Sequence, residues 1–193
     1  MTPVRIGISS CLLGDEVRFD GGHKRDPFLT DTLAPYVEWV RVCPEVEVGM
    51  GVPRETLRLV RVGDDTRMIT TRTGIDHTDS MRAYAARRVR QLESMDLRGY
   101  VLKADSPSCG MERVTVYEAD GASPVPNGVG TFAAVLKAHF PALPIEEEGR
   151  LQDPAVRERF IERVFAFDRL CRPGAEHTDV LTQLRELIRR HDV

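Results

Sequence analysis

No apolar run in the 193-residue chain approaches the roughly 20 residues that a helix needs to cross a bilayer. That lack excludes a spanning helix and sets the expectation of no membrane partner. The opening MTPVRIGISS has neither the apolar stretch nor the small-residue cleavage site of a secretory leader, so the expected location is the cytoplasm, where thiols stay reduced. An excess of one charge is also missing. Lys and Arg number 27 against 30 Asp and Glu, and the net charge of −3 gives no overall pull toward nucleic acid. Only a local basic face is left open. None of the four cysteines belongs to a C-x-x-C pair, so the usual zinc-ribbon spacing is absent. There is no internal repeat and no low-complexity tract.

What is present is 41% hydrophobic residues, enough for one ordinary domain with a sizeable core and an appendage. Strand and helix signals alternate along it. VRIGISS reads as a first strand, FLTDTLAPYV as a short helix and VEWVRV as a second strand. LRLVRVGDDTRMITTRT reads as a hairpin around Gly-Asp-Asp. From Asp76 to about Asp96, Met81, Tyr84, Ala85, Val89, Leu92 and Met95 recur at helical spacing, and the strand GYVLKAD follows. A short strand near RVTVYE, a Gly- and Pro-rich loop ADGASPVPNGVG and a helix through TFAAVLKAHF complete this part. The expected fold is α/β: a Rossmann-like, mostly parallel sheet flanked by helices. After PALPIEEEGR strand signals cease, and two helical stretches, DPAVRERFIERVFAFDRL and HTDVLTQLRELIRRH, form a short C-terminal appendage. The boundary is expected at residue 147, giving units 1–147 and 148–193.

Cys11, Cys43 and Cys109 each stand just past one of the buried strand runs, in SSCLLG, VCPE and SPSCG. Neighbouring parallel strands end on one rim of an open α/β sheet, so thiols far apart in sequence can meet there. Three convergent thiolates make a metal or cluster site, since soft sulfur ligands select iron-sulfur clusters or zinc. Free cysteine also packs as a small buried hydrophobe, which is the alternative for each thiol alone. Cys171, away from any strand end, reads as packing or a bystander.

The motifs SSCLLGDEVRFDGGHKR, VCPEVEVGMGVPRE and KADSPSCG occur in that order. Over about residues 4–145 they resemble the bacterial thiouracil desulfurases, the TudS-like family. The resemblance implies a [4Fe-4S] cluster ligated by Cys11, Cys43 and Cys109, with one iron free of protein ligand, and a hydrolytic release of sulfide that turns a thiolated uracil into uracil. It also implies catalytic roles for Glu45, which activates water or shuttles protons, and for Ser106, which orients the substrate. On their residues alone, Glu45 reads as a solvated loop carboxylate and Ser106 as a turn residue bonding its own backbone.

In GGHKR, Gly21 and Gly22 permit close backbone approach, and His23, Lys24 and Arg25 are placed to meet a phosphate, as is Arg54 in GVPRE. Gly128 and Gly130 precede a helix N-terminus that would favour an anion. Lys103 and Asp105 read as binding groups or surface charges. The expected partner is a small thiolated pyrimidine, free or as a nucleoside or nucleotide. EEEGRLQDPAVRERFIERVFAF resembles the opening of a second domain of the tRNA 4-thiouridine desulfidases, and the likeness fades after about residue 170. Arg157, Arg159, Arg163, Arg169, Arg185, Arg189 and Arg190 offer a basic face for tRNA, but Glu158, Glu162, Asp168 and Glu186 are interleaved with them as on a solvated helix. The rival from another class is a zinc-binding RNA or partner module in which His23 completes a tetrahedral site with the three cysteines.

Overall fold

Alternating strands and helices build two four-stranded sheets that share one core. The computed structural model describes residues 3–118, 121–174, 182–184 and 186. The first sheet holds β1 (Val4–Ser9), β2 (Val37–Val42), β5 (Leu97–Leu102) and β8 (Ile145–Glu147) in the order β2-β1-β5-β8, every pairing parallel. The second, in the order β4-β3-β6-β7, comprises β3 (Leu57–Val62), β4 (Asp65–Thr70), β6 (Val114–Glu118) and β7 (Val125–Gly128). Here β3 runs parallel to β6, while β4 and β7 pair antiparallel at its edges. The helices are α1 (Pro44–Glu47), α2 (Thr78–Glu93), α3 (Thr131–His139) and α4 (Pro154–Cys171).

The α/β reading therefore holds, with differences of detail. FLTDTLAPYV is helical as a wide π turn, Phe28–Leu33, which tightens to a 3₁₀ turn at Ala34–Tyr36. Two strands escaped the sequence patterns. β7 lies inside the Gly- and Pro-rich loop, where Pro126 is tolerated on an edge strand. β8 is only three residues long, too short to show alternation.

Side chains of the first sheet point alternately into two clusters, as the pleat requires. Tyr100 and Leu102 join Met81, Tyr84, Val89 and Phe132 of α2 and α3, along with Leu59 and Val116 of the second sheet. Ile6, Ile8 and Val101 face the other way, onto Phe160, Ile161, Val164 and Phe165 of α4. The helix approaches closely because Gly99 has no side chain: a Cβ there would stand 2.7 Å from Val164 Cγ2. Asp153 caps α4, its carboxylate accepting from the Ala155 and Val156 amides. Of the second C-terminal stretch only residues 182–184 and 186 are described, with Leu184 buried in the α4 cluster. Arg185, Arg189 and Arg190 lie outside the described residues.

Candidate active site

β2, β1 and β5 are neighbours and all run the same way, so their carboxyl ends form one rim. A loop carrying a cysteine leaves each of them there. Cys11 sits in a 3₁₀ turn, Ser10–Leu13, directly after β1. Cys43 is the residue between β2 and the single helical turn α1, and Cys109 closes the turn after β5. All three border one cavity of about 450 Å³.

Hydrogen bonds fix each of these loops. The Cys11 carbonyl accepts from the amides of Gly14 at 3.3 Å and Lys24 at 2.9 Å, so the 15–24 segment folds back over the thiol. The Cys43 amide donates to Glu47 Oε1 at 3.0 Å, and Glu47 Oε2 accepts from Tyr84 of α2 at 2.8 Å. Around Cys109 the carbonyls of Pro107 and Ser108 accept from the amides of Thr131, Phe132 and Ala133, the first turn of α3. Gly130 lies against this loop: a Cβ there would stand 2.5 Å from the Ser108 carbonyl group and 2.8 Å from the Cys109 nitrogen. The anion site expected at this helix N-terminus is thus not available, because loop carbonyls already occupy the amides.

Burial raises the pKa of all three thiols. It carries Cys11 up to about 11 against the opposing charges of Arg18 and Lys103, lifts Cys43, and puts Cys109 well above its ordinary value of 9.0. The Ser9 hydroxyl, which accepts from the Lys103 amide at 3.0 Å, hydrogen-bonds Cys109 and works against that rise. Thiols held neutral by a dry site ionise when a bound metal supplies the positive charge. Among the described residues no three His, Cys, Asp or Glu side chains converge tightly enough to hold a single metal ion. The donor set fits a larger group instead: three soft ligands around one cavity suit an iron-sulfur cluster.

Glu45 borders the same cavity, and both of its oxygens are held. Oε1 accepts from the hydroxyl of fully buried Ser108 at 2.5 Å, and Oε2 accepts from Arg54 Nε at 2.7 Å and Nη2 at 2.6 Å. Arg54 also donates to the carbonyls of Gly51 at 2.9 Å and Val17 at 2.8 Å. Its role here is to tie the Cys11 and Cys43 loops together around Glu45, so the guanidinium expected to meet a phosphate is already committed. Ser106 does make the turn that its sequence alone suggests: its Oγ accepts from the Ser108 and Cys109 amides at 3.2 and 3.1 Å. The hydroxyl proton remains available to a ligand, since Ser106 lines the cavity.

Of the basic residues expected at the site, Lys24 lines the cavity and His23 and Arg25 do not. Arg25 pairs with Asp31, and His23 Nδ1 accepts from the Arg25 amide at 3.2 Å, so His23 is not placed as a fourth metal ligand. Lys103 and Asp105 are cavity residues, with Lys103 ion-paired to Glu148. Arg157, expected on a basic face, is buried, with its guanidinium 4.4 Å from the centroid of Phe28 and its Nε donating to the Leu151 carbonyl at 2.8 Å. Cys171 is exposed at the end of α4, which makes it a bystander and not a packed thiol. Sequence reasoning missed Ser9, Arg18, Phe19 and Ser108. All four stood inside the quoted cysteine motifs, but nothing in their local pattern tells which side chains face inward.

Three comparisons bear on this site. The family described as 2-thiouracil desulfurase matches residues 6–148. The uncharacterized protein YbbK of Bacillus subtilis (strain 168) is 31% identical over 135 residues, which is 67% of this chain and 87% of YbbK. A solved structure, the [4Fe-4S]-dependent thiouracil desulfidase TudS, superposes with a TM-score of 0.61 at 29% identity, over 80% of this chain and 97% of that one.

Proposed function

Because the chain belongs to the 2-thiouracil desulfurase family, we propose that it removes sulfur from a thiolated uracil, 2- or 4-thiouracil or its nucleoside or nucleotide. The overall change is hydrolytic and non-redox: water replaces the thiocarbonyl sulfur, giving uracil and hydrogen sulfide. Residues 1–147 are the catalytic unit in this reading, and 148–193 a helical extension whose α4 covers one face of the first sheet. The observation that carries it is the opening of three thiols from three adjacent parallel strands into one cavity beside a doubly held carboxylate.

Cys11, Cys43 and Cys109 would hold a [4Fe-4S] cluster. Bound through three cysteines, such a cluster supplies an open iron that acts as a Lewis acid toward soft sulfur. The remaining work falls to the chain. Glu45 accepts a proton from the attacking water. A carboxylate has about four acceptor positions, and the bonds from Ser108 and Arg54 leave Glu45 room for one more donor while fixing where it points. Ser106 keeps its proton to donate to the bound ring. Lys24 supplies positive charge at the cavity wall for a substrate that carries phosphate.

The test is anaerobic turnover of 2- and 4-thiouracil, read as loss of thiocarbonyl absorbance with matching release of sulfide. Uracil and sulfide in equal amounts support the reading. A cluster-loaded protein that releases neither from either base or their nucleotides rejects it.

A further inference from the structure

Among the cations lining the cavity, Arg54 and Lys103 are committed to carboxylates and carbonyls. Arg18 is different. Its Nε is buried and has no hydrogen-bond partner among the described residues. A guanidinium that lines a cavity with no carboxylate or carbonyl holding it has donors left for a ligand to satisfy.

The residue beside it narrows what that is. Phe19 lines the same cavity and is 36% exposed, an apolar ring left open next to a charge, with the Arg18 guanidinium 5.4 Å from its centroid. The backbone that presents the pair is fixed. The Arg18 amide donates to the Gly22 carbonyl at 3.1 Å, the Gly21 amide donates to the Arg18 carbonyl at 3.0 Å, and the Arg54 amide donates to the Phe19 carbonyl at 2.9 Å. Gly21 takes the left-handed conformation this tight turn needs, at φ 79°.

A flat aromatic surface beside an uncommitted guanidinium suits a planar heterocycle bearing an exocyclic oxygen. A thiolated uracil has that form, since replacing one oxygen by sulfur leaves the second carbonyl in place. We propose that Arg18 and Phe19 form the subsite that reads the substrate's retained carbonyl: Phe19 lies against the ring, and the terminal nitrogens of the Arg18 guanidinium donate to the oxygen. This rests on the desulfidase reading above and adds the specificity determinant to it. Sites that hydrogen-bond a particular substrate group discriminate strongly against analogues without it, because the protein's own polar group is then left unpaired.

The experiment uses cluster-loaded protein and two compounds that differ in that oxygen: a thiouracil, and the pyrimidine thione with the same sulfur position and no second carbonyl. Wild type is expected to favour the thiouracil by about a hundredfold or more in kcat/KM. In Arg18→Met that preference collapses toward unity, and calorimetric binding of uracil to the loaded protein is lost with it. Phe19→Leu is expected to raise KM for both compounds while keeping the preference. Arg18→Met that retains the preference, or still binds uracil as wild type does, overturns the assignment. Loss of iron and sulfide from Arg18→Met also overturns it, since the guanidinium would then serve the metal centre. If loaded wild type turns over neither compound and does not bind uracil, the desulfidase reading itself fails, and the subsite falls with it.

Discussion

Glu45 is gripped at both oxygens, by Ser108 on one side and Arg54 on the other, and this grip gives a loop carboxylate a defined direction. Glu45→Gln is expected to leave iron and sulfide content unchanged and abolish turnover; an unchanged rate would remove Glu45 from the chemistry. Ser108→Ala deletes one hydrogen bond to a carboxylate, worth about 1.5–3 kcal/mol. The expected result is kcat lowered by roughly tenfold to a hundredfold at constant cluster content, measured per iron in single-turnover assays. Equal activity per cluster would show that Ser108 only supports its loop. The convergence of the three cysteines was legible in the sequence because each follows a readable strand, whereas Glu45 was singled out only through the family resemblance of its motif. Ser108 and Arg18 were not legible, because their importance lies in which way a side chain faces and in partners 63 residues distant for Ser108. Arg54 was noticed for its charge, yet its place between Glu45 and two carbonyls is a tertiary fact.

The elements explain why the thiols meet. β1, β2 and β5 carry β-branched and apolar runs that read plainly as strands, and their common direction puts three cysteine loops on one edge. The edge strands β7 and β8 were hidden because short segments containing Pro, Gly or Glu lack a usable pattern. The junction of the Cys109 loop with α3 makes a prediction at this scale. Gly130→Ala pushes a methyl group into the Ser108 and Cys109 backbone, an overpacking that typically costs about 1–3 kcal/mol. The expected result is lower thermal stability together with loss of cluster from the Cys109 side, checked by calorimetry and iron content. A variant with wild-type melting and full iron would show that this contact relaxes freely.

For the molecule as a whole, α4 is bound to the first sheet by packing and by charge. Arg98 Nε donates to Asp168 Oδ1 at 2.7 Å, with the side chains 5% and 0% exposed, and Arg172 adds a second cation. Asp168→Ala leaves Arg98 its second carboxylate, Asp96 at 2.7 Å, so the expected loss in denaturant unfolding is about 1–3 kcal/mol and not the full cost of a stranded buried charge; a loss well under 1 kcal/mol would mean α4 is held by its apolar face alone. A surface network acts on the opposite side. Asp65 is kept well below its ordinary 3.8 by hydrogen bonds from Arg82 and then Arg67. A carboxyl whose folded value is depressed stabilises the fold above the unfolded value and loses that contribution as pH falls below it. Arg82→Met should therefore flatten the dependence of melting temperature on pH below 3.8, and a slope like wild type's would contradict it. The C-terminal charge pattern was readable, but burial of Arg157 and Asp168 was not, since alternating charges look the same on a solvated helix and on one pressed against a sheet.

The central claim is that Cys11, Cys43 and Cys109 together hold one iron-sulfur cluster. Its most direct test is iron, zinc and acid-labile sulfide per chain, measured on anaerobically purified wild type beside Cys11→Ser, Cys43→Ser and Cys109→Ser. The account predicts about four irons and four sulfides in wild type, lost in each variant. Zinc without sulfide, or a cluster that survives all three substitutions, would contradict it.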